Sequence, residues 1–192
     1  MAALETSRCC LVAMRKVGTP AVLAVVLLSV ACAQGYNETE VKAAFLYHFI
    51  GYVEYPSSAF ASPSSPFVIG VLGKSAIFSA LQGAVRGKTV KGRSVEVRQV
   101  SAGERLRECH LLFVPEAEAQ NLPKVLEILG AAPVLLVGES EGFAAKGGMI
   151  GFFIEQNRVR FEVNLEAAKH AHLTISSKLL DLARIVRSDR RG

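Results

Sequence analysis

The stretch FVIGVL, residues 67–72, carries no polar side chain and runs straight into the turn residues GKS at 73–75. It is too short for a helix, rich in β-branched residues and apolar at every position, so it reads as a strand covered on both faces. Two further runs repeat the pattern, CHLLFV at 109–114 and PVLLVG at 133–138. Between them stand an alternating strand pattern, RSVEVRQV at 93–100, and two helical ones, SAIFSALQGAV at 75–85 and EAEAQNLPKVLEILG at 116–130, the latter with an irregularity at Pro123. Apolar strands alternating with helices predict an α/β fold, with a mostly parallel sheet covered by helices on both faces.

Upstream, NETEVKAAFLYHFIGYVEYP at 37–56 predicts an amphipathic helix capped by Asn37. Its expected apolar face is Val41, Ala44, Phe45, His48, Phe49 and Tyr52, and Pro56 ends it. A Ser/Pro-rich loop, 57–66, is too short to separate domains.

Downstream, GGMIGFFIEQNRVRFEVNLEAAKHAHLTISSKLLDLARIV at 147–186 breaks the rhythm. Two strands, MIGFFIE and RVRFEVNL, are joined by Gln156-Asn157 alone, which forces a C-terminal antiparallel hairpin. Along its second strand Val159, Phe161, Val163 and Leu165 point one way, toward the core. Arg158, Arg160, Glu162 and Asn164 point the other way, toward water or a partner. About two helical turns follow, and then a last helix, capped at Ser176 or Ser177, with Leu179, Leu180, Leu182, Ala183 and Val186 on its apolar face.

The first 33 residues read as a secretory leader: Arg15 and Lys16 precede an apolar run that ends in Ala31-Cys32-Ala33. Pro20 interrupts that run, which is too short to span a bilayer. Met14 offers an alternative start. The expected organisation is a cleaved signal peptide, 1–33, and a single domain, 34–192. Of 22 Lys+Arg and 17 Asp+Glu, three (Arg8, Arg15, Lys16) and one (Glu5) lie in the leader, leaving 19 against 16. That mild balance, with no basic stripe, argues against nucleic acid as a partner. Of the cysteines only Cys109 lies beyond the leader, so the exported domain has no internal disulfide. Opening an apolar run, Cys109 reads as a buried strand residue rather than a reactive thiol.

Motifs for chemistry fall short. GAVRGKT at 83–89 has three residues between its glycines where a phosphate-binding loop needs four. GVLGKS at 70–75 has the right strand-to-helix context but a loop two residues short, leaving Gly73, Lys74 and Ser75 as candidates for binding an anion on backbone N–H groups. His170 and His172, two apart, do not share a helix face, and no third metal ligand accompanies them. Cys109 and His110 are strand neighbours that point to opposite faces. The expectation is a protein without enzymatic activity, metal or cofactor.

Three segments, VKAAFLYHFIGYVEYP at 41–56, GKTVKGRSVEVRQV at 87–100 and the block at 147–186, together resemble the YfiR family of exported bacterial proteins, over essentially Glu38 to Val186. The resemblance implies an α/β sandwich and a periplasmic repressor. Such a protein binds the periplasmic sensor part of an inner-membrane diguanylate cyclase, in cyclic-di-GMP and biofilm signalling, and is itself sequestered by an OmpA-like outer-membrane lipoprotein. It further implies a homodimer, and partner binding through Phe153, Glu162 and Leu173, although Phe153 and Leu173 read equally as core. A membrane sensor kinase is an alternative partner, and a periplasmic small-molecule-binding module an alternative function. This chain departs from the family pattern in its lone Cys109, in Gly151 where an Asn is expected, and in Tyr55-Pro56 where Trp-Pro is expected.

Overall fold

A computed structural model describes residues 37–188. The expected leader lies outside the described residues. The elements in chain order are α1 (Glu38–Tyr52), β1 (Val53–Glu54), β2 (Phe67–Leu72), α2 (Ile77–Val85), β3 (Thr89–Val90), β4 (Arg93–Val100), β5 (Leu111–Val114), α3 (Leu122–Leu129), β6 (Leu135–Gly138), β7 (Ile150–Glu155), β8 (Arg158–Asn164), α4 (Leu165–His170), β9 (Thr174–Ile175), α5 (Ser177–Leu180) and β10 (Arg184–Val186). Three 3₁₀ turns, Ser57–Ala59, Glu104–Glu108 and Glu116–Asn121, lie in the connections.

Eight strands form one sheet in the order β10-β8-β7-β6-β5-β2-β4-β3. Strands β7, β6, β5, β2 and β4 run parallel, and the central three, β6, β5 and β2, are the uninterrupted apolar runs, buried at every position. Antiparallel partners stand toward both ends: β8 against β7, and β3 against β4. Both hairpins turn on two residues with positive φ, Gln156 (49°) with Asn157 (59°) and Lys91 (51°) with Gly92 (78°). This handedness matches the strand twist and keeps each pair tight. A separate two-stranded ladder, β1 with β9, ties the end of α1 to the C-terminal region through Val53↔Ile175.

Helix α1 starts where Asn37 accepts a hydrogen bond from the Glu40 N–H, with Glu38 and Glu40 in the positive first turn. Its buried residues are Lys42, Ala43, Leu46, Phe49 and Ile50, a face rotated from the expected one. Ala44, His48 and Tyr52 are exposed. The helix is apolar almost all round, so periodicity alone could not choose the stripe; Phe152 and Phe161 on the sheet choose it. Phe49 lies 5.7 Å from Phe152 and 5.1 Å from Phe161 between ring centroids, and Phe45 lies 5.6 Å from Phe161. Each such pair adds about 0.5–1.5 kcal/mol to area burial.

The other side of the sheet is covered by α3, the Glu104–Glu108 turn and the connection between β6 and β7. Phe143 of that connection fits where Gly138 and Gly148 have no side chain: a Cβ at Gly138 would lie 2.3 Å from its ring.

The final segment differs from expectation. The last helix stops at Leu180, and Arg184–Val186 adds a strand parallel to β8. The β-branched pair Ile185-Val186 takes the open backbone edge of β8, which local helical spacing could not reveal.

Candidate functional site

Strand alternation puts Gly151, Phe153 and Glu155 of β7 on the face away from α1, in register with Glu162, Arg160 and Arg158 of β8. At the root of this face the chain is sealed. Asn164, expected to face water, is fully buried: it donates to the Ala144 carbonyl (2.8 Å) and the Ser188 hydroxyl (2.7 Å) and caps α4 by accepting from the Ala167 N–H (3.1 Å). Glu162, also expected at the surface, is 7% exposed. Its carboxylate occupies space that Gly151 leaves free, since a Cβ there would meet it at 3.1 Å. The glycine that departs from the family pattern is therefore the one that admits this carboxylate.

Arg184, in register with Glu162 on β10, bonds its carboxylate at 2.9 Å and lies 4.0 Å over the Phe153 ring. One guanidinium thus joins two of the three residues implied by the resemblance, by charge and by cation–π attraction. Arg184 escaped sequence reading because its segment carried a helical spacing. Leu173 is not part of this face; at 2% exposure it lies in the core beyond α4.

Toward the hairpin tip the face opens into a shallow groove of about 230 Å³, lined by Phe153, Arg160, Asp181, Leu182 and Arg184 among others. Leu182, 66% exposed, is the large apolar side chain that stands open along it. Arg158, Arg160 and Arg184 make this face basic, with Glu155 and Asp181 interspersed. A half-buried aromatic ring amid arginines, beside an exposed leucine, is the composition of a protein-binding patch. The outer strand β10 has only three residues and is itself charged, features that blunt indiscriminate edge pairing.

The β2–α2 turn is arranged differently. Gly73 has φ 64° and donates its N–H to the Val100 carbonyl, and the Ser75 hydroxyl accepts from the Ile77 N–H. The Glu118 carboxylate lies directly over Gly73, and Glu38 and Glu139 stand with Ser75 around Lys42. Burial alone would lower the Lys42 pKa, but bonds to Glu139 and Glu38 outweigh it and hold the ammonium above its ordinary value. An anion at Gly73-Lys74-Ser75 would thus meet the protein's own carboxylates.

Cys109 is buried ahead of β5, and burial pushes its thiol up to about 11, far from the thiolate that nucleophilic chemistry needs. His110 accepts the Val68 N–H on Nδ1 and meets the Ala59 carbonyl through Nε2, both at 3.0 Å. Burial, assisted by Arg93 and Arg98, lowers its pKa, and with both nitrogens engaged it serves structure. His170 and His172 are exposed. Among the described residues no group of three or more metal-ligating side chains converges, and no helix is long and apolar enough to cross a membrane.

Comparison with known proteins gives a family and a fold. The family model described as YfiR/HmsC-like matches residues 39–184. No curated protein matches the chain. A solved structure, the ABC domain in complex with L-Trp from Streptococcus pneumonia, is similar at TM-score 0.52 and 12% identity, over 79% of this chain and 62% of that one. At that identity the likeness is one of fold, and this chain spans less than two thirds of the other's length.

Proposed function

We propose, since the chain belongs to the YfiR/HmsC-like family, that it is an exported, non-enzymatic regulator that binds the periplasmic sensor part of an inner-membrane diguanylate cyclase and represses it. The observation that carries this reading is the outer face of the hairpin. There Arg184 holds Phe153 and Glu162 in one cluster beside exposed Leu182. An interface needs such a rigid scaffold with an aromatic anchor and arginines, and no reactive group. Phe153, Arg160 and Arg184 would touch the partner. Glu162 would act by holding Arg184, and Leu173 by supporting the fold beneath.

On the same premise residues 1–33 are a cleaved leader and 34–192 the working domain. An OmpA-like outer-membrane lipoprotein is the counterpart expected to remove the regulator, a sensor kinase is the alternative membrane partner, and a homodimer is the expected state.

The test is capture of a membrane diguanylate cyclase from solubilised membranes by the exported protein, beside Phe153→Ala and Arg160→Glu. Reversing Glu162 would place two guanidiniums together in a buried position, so the exposed Arg160 is the cleaner probe. Capture by the wild type and its loss in both variants supports the reading. Equal capture by all three moves the interface elsewhere, and no cyclase captured by any of them removes the regulatory role.

A further inference from the structure

We infer that the cleft between β4 and the β4–β5 connection is a binding site for a small organic anion, a carboxylate or phosphate head on a compact apolar body. In the sheet, β2 stands between β4 and β5, so residues 101–110 must pass over β2. A crossover of this kind usually carries a helix that fills the space above the sheet. Here it carries only the Glu104–Glu108 turn, pinned at its far side by buried Leu106 and by the Arg107 side chain donating to the Ile128 carbonyl (2.6 Å). The unfilled side is a cleft of about 640 Å³ off the carboxyl end of β4, lined by Arg98, Ser101, Gly103, Arg105, Glu108 and Cys109 with two neighbours. That volume is in the range of small-ligand sites, about 300–1,000 Å³, and the carboxyl ends of parallel strands are where open α/β sheets bind ligands.

The lining selects the ligand. Arg98 is bonded through one nitrogen to Glu96 (2.7 Å), while its other terminal nitrogen lies 3.9 Å from Glu108. Arg105 approaches the same Glu108 at 3.7 Å. Both of these distances exceed hydrogen-bonding range. Glu108 therefore pairs loosely with both guanidiniums without a hydrogen bond to either, and an oxyanion that displaces this carboxylate toward solvent gains charge-assisted bonds to both. Below, the buried sulfur of Cys109 crosses Gly70, whose Cβ, if present, would lie 2.6 Å from it. That part of the cleft is apolar and suits a hydrocarbon body. The site is separated from the hairpin face by β6, β5 and β2, and it does not depend on the docking reading.

Calorimetric titration of the purified protein with benzoate and with phenyl phosphate tests the site and distinguishes the two head groups. Saturable binding of at least one probe is expected, weakened about tenfold or more in Arg98→Ala and in Arg105→Ala. Glu108→Gln, which removes the competing carboxylate, should tighten it. Arg158→Ala, on the hairpin, should leave it unchanged, and circular dichroism checks the fold of each variant. The proposal is overturned if neither probe saturates by about 10 mM, if Arg98→Ala and Arg105→Ala bind as the wild type does, or if Arg158→Ala weakens binding equally.

Discussion

On one side of the β7–β8 hairpin Phe152, Phe161 and Val163 lie under α1, none more than 3% exposed; on the other, Phe153, Glu155 and Arg160 look out across a shallow groove. The same backbone and the same alternation produce both. Elements distant in sequence make the difference, because α1 brings Phe45 and Phe49 onto the first side. The β6–β7 connection covers the second only as far as Gly151, where Ala144 comes within 3.4 Å of a Cβ position. A strand pattern therefore creates two faces without saying which is sealed.

The comparison breaks first at the sealed side. Phe49→Ala should cost about 3–5 kcal/mol, from lost burial and the cavity left behind. Urea denaturation measures it, and a loss below about 1 kcal/mol would mean that the aromatic cluster is not tightly packed. At the closed root of the opposite side, Gly138→Ala drives a methyl into the Phe143 ring and should cost about 1–3 kcal/mol by overpacking. If it is neutral, that side is looser than it looks.

A smaller, pH-dependent effect comes from His110, sealed at the start of β5. Its folded pKa lies below the ordinary 6.5 because burial disfavours the imidazolium. Between that lowered value and 6.5 the unfolded chain binds more protons than the folded one, so stability is full above 6.5 and falls as pH drops through this window. Urea midpoints at neutral and mildly acidic pH should fall in the wild type and fall less in His110→Gln. The smallest stability effect belongs to the open groove, where Arg160→Glu should stay within about 0.5 kcal/mol. A larger loss there would make Arg160 structural and weaken its use as a docking probe.

Much of the fold could be read directly. Three uninterrupted apolar runs announced a mostly parallel sheet, and Gln156-Asn157 announced the hairpin, because strand burial and two-residue turns are local properties. The buried stripe of α1 could not be read, since a helix apolar on most sides takes its orientation from what it meets. Nor could the exposure of Glu162 and Asn164, whose covers, Arg184 on β10 and the Ala144 region, arrive from elsewhere in the chain. The cleft beside Arg98 left no motif, because it arises from what the β4–β5 crossover lacks.

By itself, then, the chain's pattern determined the α/β class, the hairpin and the set of side chains that share its outer face, all consequences of periodicity and turn geometry. Tertiary structure alone decided that Arg184 joins Phe153 to Glu162 and that Leu173 lies inside. A three-residue strand such as β10 has no stability of its own, and its hydrogen bonds exist only where β8 offers an edge.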